Sequence, residues 1–429
     1  MDEKKPALFE KYPNLEGKLP WTPILSQIPT DIERLNELEN YLEMEEGKIF
    51  IKRDDRNHHI YGGNKLRKFE FIFGKILKKR KKAVVTNGGI GTNHGLACTI
   101  TCRELNLKCD LFLFEQPLTW HVQRSLLLFD YFGANLHLGK GDISTFIKFL
   151  LFKLVHPKYF LMFPGGSPLF GIGSSLGTIG FINAMFELKK QIDEGLIPEP
   201  DAIFIAGGSV GTAAGLIAGC KLLGLRSKVH VVAVYTDLTS NPSSVMKNAN
   251  KAIKYLKKKD KSIPNVEIKE DDFVFITGYL GSGYGIKTIR GQNAVDKVYE
   301  LEGKKRNFKL ETTYTGKAMA ALFDYLKERE NKNKNILFWN TYNSNDLDKY
   351  LRETQFNYEK LPKKFHKFFK EKIFQCWQLA NCPDEIKLGC PAYLNHEYRF
   401  WQVTECKLEK EKQDKIKKEL SRVIELEDA

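Results

Sequence analysis

The alternation of short apolar runs with helical stretches limits what this chain can fold into more than any other feature. "KAVVTNG", "CDLFLFE", "YFLMFP", "DAIFIAGG", "KVHVVAVY", "FVFITGY" and "NILFWNT" are rich in β-branched and aromatic residues. Each is followed by a segment of helical spacing, such as "HGLACTITCREL" or "VQRSLLLFDYFG". Strands separated by helices pair in parallel, and a parallel sheet needs helices on both faces. One twisted open sheet of that width is unusual. The pattern therefore predicts an α/β fold of two open, twisted, mainly parallel sheets flanked by helices. The beat stops after about Tyr342, and residues 346–429, rich in Lys, Phe and Glu, read as a C-terminal extension.

At 429 residues, 42% of them apolar, the chain can bury a large core. The opening "MDEKKPALFEKYPNLEGKLPW" has no apolar run of signal-peptide length, and no later stretch approaches the roughly 20 apolar residues of a membrane span. A soluble, cytoplasmic protein without membrane contact is expected. The eight cysteines then read as reduced thiols. Cys376, Cys382, Cys390, His396 and Cys406 lack the paired spacing of zinc ligands, so no metal is expected. The net charge of +14 comes from lysines scattered through "KILKKRKK", "KYLKKKDK" and "KLPKKFHKFFKEK". Those runs read as solvated helix faces and not as a nucleic-acid surface.

The chemistry starts at "FIAGGSVGTAAGLIAGCKLLG". A buried-type strand, Ala202 to Ala206, enters a loop of Gly207, Gly208, Ser209, Val210, Gly211 and Thr212, then a helix. Glycines let successive amides converge, and the helix N-terminus adds partial positive charge, which together make a phosphate cradle. The spacing is neither a Walker A loop nor Gly-x-Gly-x-x-Gly, which points to a monophosphate cofactor. A turn that merely joins strand to helix is the competing reading.

In "YGGNKLRKFE", Leu66, Phe69, Ile72, Phe73, Ile76 and Leu77 keep helical spacing, so Asn64 and Lys65 open a helix. The helix dipole and a desolvating core favour the neutral amine that Schiff-base chemistry needs. Taken alone, such a lysine is more simply a solvated charge. Lysine and phosphate cradle together point to pyridoxal phosphate. A third loop, "TNGGIGTNHGLA", puts Thr92, Asn93 and His94 where a strand gives way to a helix, the place where ligands collect in open α/β sheets. Asn93 suits a cofactor hydroxyl and Thr92 a substrate carboxylate or a proton. A satisfied turn histidine is the simpler reading of His94.

With these loops in order, the chain resembles the D-cysteine desulfhydrase and 1-aminocyclopropane-1-carboxylate (ACC) deaminase family, fold-type II pyridoxal-phosphate enzymes of tryptophan synthase β-like architecture. The matching stretches include "LFEKYPNLEGKLPWTPI", "YGGNKLRKFE", "TNGGIGTNHGLA", "PGGSPLFGIGSSLG", "GGSVGTAAGL", "GSGYGIKT", "TYTGKAMAAL" and "NILFWNTYN". The resemblance implies that Lys65 is the Schiff-base lysine, with Asn64 beside it. It also implies that Asn93 contacts the ring hydroxyl and that Gly208 to Thr212 bind the phosphate. Tyr284 and Tyr314 become the active-site tyrosines over the substrate, alongside Thr92, Asn93 and His94. It further implies a homodimer, a large cofactor-binding domain of residues 1–64 and 165–345, and a small domain of residues 65–164.

Two positions sort the branches. ACC deaminases carry a glutamate after the second tyrosine that keeps the pyridine nitrogen protonated; here that residue is Thr315, and a hydroxyl cannot hold the proton as a carboxylate can. Thr341 matches the threonine that contacts this nitrogen in the desulfhydrase-like branch. The resemblance thus implies α,β-elimination: Lys65 takes the α proton, hydrosulfide leaves the β carbon, and D-cysteine ends as pyruvate and ammonia. ACC deaminase is the alternative, and so is a non-catalytic binding or regulatory module that kept the fold. Three departures bear on this: Thr92 where the family has Ser, Tyr342 and Asn343 where it has glycines, and a long "PGGSPLFGIGSSLGTIG" loop. Bulk at 342 and 343 is expected to narrow the pocket or to change its substrate.

Overall fold

Ten strands run through the computed structural model, which describes residues 5–166, 174–236, 240–353 and 357–369. They are β1 (Ile32–Arg34), β2 (Ile49–Lys52), β3 (Ala83–Gly89), β4 (Lys108–Phe114), β5 (Ala134–Leu138) and β6 (Tyr159–Leu161). β7 (Ala202–Gly207), β8 (Lys228–Ala233), β9 (Phe273–Ile276) and β10 (Ile336–Trp339) follow. Two sheets result, one in the order β1-β2-β10-β7-β8-β9 and one in the order β5-β4-β3-β6. The β1–β2 pair is antiparallel and the other described pairings are parallel, so the expected α/β architecture of two mainly parallel sheets is the one observed.

The central strands are buried on both faces, as parallel sheets require. Ile203 of β7 stands between Leu337 of β10 and Val229 of β8, all fully buried. β1 and β5 carry no clear strand signature, whereas β2, Ile-Phe-Ile-Lys, does carry one that the alternation of longer runs leaves out. β1 is three residues long, β2 four, and β5 lies at a sheet edge with a single buried residue, Leu136, so an apolar run is not needed there.

The helices that matter for the site are α1 (Asn64–Lys78), α2 (Asn93–Glu104), α3 (Trp120–Tyr131), α4 (Asp142–Val155), α5 (Leu176–Asp193), α6 (Gly211–Leu223), α7 (Pro242–Lys259), α8 (Ile289–Val298) and α9 (Thr315–Tyr325). α1 buries Leu66, Phe69, Ile72, Phe73 and Ile76 as its spacing predicts, while Leu77 near its end is exposed. α5 packs against both α1 and α6. None of the described helices is long and apolar enough to cross a membrane.

Beneath α1 lies a closed cluster of buried charge. Arg67 bonds Asp54 at 2.7 and 2.8 Å and Glu187 at 2.9 and 3.0 Å. Lys52 also reaches Glu187, at 2.8 Å, and the Trp339 indole donates to Asp54 at 2.7 Å. These bonds fix α1 to β2, β10 and α5. The start of the C-terminal extension packs on the small-sheet side, where Gln123 of α3 donates to the Phe368 carbonyl at 2.7 Å and Arg124 pairs with Asp348. Cys376, Cys382, Cys390, His396 and Cys406 lie outside the described residues.

Candidate active site

The three glycine-bearing loops meet beyond the C-terminal ends of β3, β7 and β10, against the N-termini of α1, α2 and α6. The chain enters α1 through Gly62 and Gly63. A Cβ on Gly62 would lie 1.8 Å from the Asp55 carbonyl oxygen, and one on Gly63, whose φ is 114°, would lie 2.7 Å from that of Thr341. No other residue fits this passage. Asn343 Oδ1 accepts the Gly62 amide at 2.7 Å, and the Thr341 carbonyl accepts that of Asn64 at 3.3 Å. The Asn343 side chain is therefore committed to the backbone leading to the lysine and does not reach across the pocket.

Lys65 follows. Its Nζ donates to Asn64 Oδ1 at 2.8 Å, and Asn64 Nδ2 donates to Thr212 Oγ1 at 3.2 Å. This relay ties the amine to the first turn of α6. Burial pushes the Lys65 amine down from its ordinary 10.5 to about 8, with the charge of Glu311 opposing the shift. One turn on, Lys68 is buried and donates to the Gly165 carbonyl at 3.0 Å; burial and then Lys65 hold its amine well below the usual range.

In the loop before α6, the Gly211 amide donates to the Ser209 carbonyl at 2.7 Å, and Val210 takes φ 47°, ψ −1°. The left-handed region is strained for a β-branched residue, and such strain persists where surroundings enforce it. The turn and the unbonded first-turn amides of a helix form a concavity suited to an anion. Gly208 lies under Tyr314, whose Cε1 would be 3.1 Å from a Cβ at that position, and the Ser209 hydroxyl faces Gly165.

The third loop divides its residues. Thr92 caps α2, its Oγ1 accepting the Gly95 amide at 3.2 Å, and the Asn93 carbonyl accepts the Tyr61 hydroxyl at 3.4 Å. His94 turns inward: its Nε2 pairs with Thr86 Oγ1 at 3.0 Å and its ring packs edge-on against Phe69. Burial, aided by Lys65 and Lys68, drops it to about 3, so it is neutral.

Tyr284 and Tyr314 come together, their hydroxyls 2.5 Å apart, and Tyr235 packs edge-on against Tyr284 at 4.7 Å between ring centres. Tyr284 is 47% exposed, so the pair has a wet side. Burial raises the Tyr314 phenol well above its ordinary value, so it keeps its proton. Thr315 is buried, with its hydroxyl accepting the Glu311 amide at 2.8 Å.

Sequence reasoning missed Tyr235, Lys68 and Glu311. Tyr235 closes the run "KVHVVAVY", at the end of a parallel strand where ligands collect. Glu311 precedes the helical run "TGKAMAAL", a position where acidic residues meet an incoming helix N-terminus. Lys68 reads as one more basic residue of a helix, and no local signal marks it.

Two groups of side chains have metal-ligand chemistry among the described residues: Cys98, Cys102 and Cys109, and His58, His59 and Glu104. The thiols lie within the apolar core. His58 Nδ1 accepts the Ile60 and Tyr61 amides, so its proton sits on Nε2, the atom that faces Glu104. That arrangement opposes ligation.

The donors present fit a phosphorylated aldehyde cofactor. A buried amine near neutrality, an anion-binding loop bonded to it through Asn64 and Thr212, and an aromatic wall at Gly208 converge on one space.

Residues 24–341 match the sequence family described as "Pyridoxal-phosphate dependent enzyme". Over 323 residues the chain is 28% identical to a D-cysteine desulfhydrase of Klebsiella pneumoniae subsp. pneumoniae, covering 73% of this chain and 91% of that protein. A solved structure of an ACC deaminase homologue is 25% identical, with a TM-score of 0.64 over 79% of this chain and 95% of that one. Threonine deaminase isoform 2 from Solanum lycopersicum, in its processed form, shares the fold at 18% identity and a TM-score of 0.51, over 83% of this chain and 94% of that one.

Proposed function

Because the chain belongs to the family of pyridoxal-phosphate dependent enzymes, we propose that it is a carbon–sulfur lyase acting on D-cysteine or a related β-substituted amino acid. With water, D-cysteine gives pyruvate, ammonia and hydrogen sulfide. Pyridoxal phosphate, when bound, supplies the electron sink that makes the α proton acidic. The loop from Gly208 to Thr212 and the N-terminus of α6 would hold its phosphate, and Lys65 its carbonyl carbon.

The observation that carries this reading is the Lys65 amine joined through Asn64 to Thr212 of the anion-binding loop. Once the substrate's amino group has taken its place on the cofactor's carbonyl carbon, Lys65 would be a free amine again, and an amine pushed down to about 8 can take the α proton near neutral pH, with Asn64 Oδ1 orienting it. The electrons of the C–H bond move toward the β carbon as those of the C–S bond leave with sulfur. The Tyr284 and Tyr314 hydroxyls bond each other at 2.5 Å, and one of them can pass its proton to the departing sulfur. The N-terminus of α2, capped by Thr92, suits the substrate carboxylate.

ACC deaminase is the second reading, supported by the likeness to the ACC deaminase homologue. Against it, Thr315 has no carboxylate and its hydroxyl bonds Glu311. The Glu311 carboxylate is itself saturated by backbone amides.

Incubation of the purified protein with D-cysteine, with sulfide and pyruvate assayed, tests the proposal. ACC is supplied in parallel, with 2-oxobutanoate assayed. Sulfide and pyruvate in equal amounts are expected. A yellow protein active on ACC alone would transfer the reading to deaminase. A colourless protein that added cofactor does not restore would leave a binding module.

A further inference from the structure

Tyr314 can meet Tyr284 only if the backbone around it is held, and one buried side chain does the holding. Glu311 is 8% exposed. Its Oε2 accepts the Thr313 amide at 2.7 Å, and its Oε1 accepts those of Tyr314 and Thr315 at 2.8 and 2.9 Å. The Thr315 hydroxyl lies 3.3 Å from both that Oε1 and the Glu311 carbonyl oxygen, which also accepts the Gly316 amide at 2.7 Å. Burial pushes the Glu311 carboxyl up, and the amides of Thr315, Thr313 and Tyr314 oppose that shift; as an anion it meets the positive end of α9.

We propose that Glu311 is the positioning residue of this site: it clamps the Thr313–Thr315 turn and aims Tyr314 at Tyr284. This deepens the lyase reading and rests on it. A helix cap alone would need no link to the reacting groups. The field of Glu311 reaches Lys65, Tyr284, Tyr314 and the buried Lys317. At Lys65 it favours the protonated amine, against burial, and so keeps the lysine from becoming too weak a base.

Two variants separate the clamp from the charge. Glu311→Gln keeps an oxygen for Tyr314 and Thr315 but removes the charge and turns an NH2 toward the Thr313 amide, donor against donor. Glu311→Asp keeps the charge, yet is one methylene short of spanning all three amides. The first measurement uses protein freed of cofactor: the pH at which Lys65 is half-acylated by acetic anhydride, read from peptide masses. Glu311→Gln should lower this pH by about one unit, and Glu311→Asp should leave it nearly unchanged. In the loaded enzyme both variants should cut kcat on D-cysteine roughly ten- to hundredfold, with KM moving less. In a Tyr314→Phe background Glu311→Asp should lose most of its effect, since the clamp acts through Tyr314.

An unmoved half-acylation pH together with full turnover in Glu311→Gln would overturn the proposal, as would fully additive losses of Glu311→Asp with Tyr314→Phe. If Glu311→Gln does not fold, Glu311→Asp and its double variant decide the clamp. If the native protein neither binds cofactor nor releases sulfide, the lyase reading fails, whereas the acylation measurement still judges the charge of Glu311 on Lys65.

Discussion

Lys65 and Arg67 stand two residues apart on α1 in opposite kinds of surroundings. Arg67 is 1% exposed and meets two carboxylates and the Thr30 hydroxyl, at 2.7 to 3.0 Å. Asp54 and Glu187 are shared in turn with Trp339 and Lys52. The result pushes Glu187 far below the usual carboxylate range and raises Arg67, so both stay charged. Lys65 bonds a neutral amide and feels one carboxylate through its field. A saturated buried charge is locked and serves the fold, whereas a sparsely partnered one titrates near neutrality and can do chemistry.

The largest test of this contrast is Lys65→Ala, which should lower turnover by about 10⁴-fold and abolish the visible cofactor band, without loss of fold by circular dichroism. Arg67→Met should do the reverse. It leaves Asp54 and Glu187 buried without their partner, at a cost of about 3–5 kcal/mol in denaturant titration; a loss below about 1 kcal/mol would undo the contrast. Tyr314→Phe should reduce turnover roughly ten- to hundredfold while its melting temperature stays close to the native one.

The smallest effect is on pH. The folded amine of Lys65 titrates at about 8 against an ordinary 10.5, so between those values the unfolded chain holds more protons than the folded one. Stability of the cofactor-free protein should therefore rise across that window and be at its lower level below pH 8. Lys65→Met should remove that part of the slope and be more stable at pH 7 by about 1–2 kcal/mol. Denaturant midpoints for both proteins at several pH values check the sign; a steeper rise in the variant would contradict it.

Much of the fold is legible in the residues, because β4, β7, β8 and β10 are buried strands made largely of apolar residues and β3 opens on the buried run Ala-Val-Val. β1 and β5 escape notice, being short or at an edge, while β2, Ile-Phe-Ile-Lys, stands outside the strand-helix beat and is missed despite its apolar run. At the site, Lys65 announces itself by its place at a helix start after two glycines, and the Gly207–Thr212 loop by its glycines between strand and helix. His94 illustrates the limit: its loop marks it as a candidate ligand contact, and the packing of Phe69 and Thr86 turns it inward.

The sequence by itself determined the alternation of the longer strands with helices, the cradle before α6 and the position of a lysine at the head of α1, because periodicity, glycine and helix polarity act over a few residues. Which charges are quenched and which left reactive was decided by the tertiary structure alone. Asn64 finds Thr212 across 148 residues and Arg67 finds Glu187 across 120. Desolvation and through-space charge set the state of an amine or a carboxylate, and both depend on neighbours that only folding brings near.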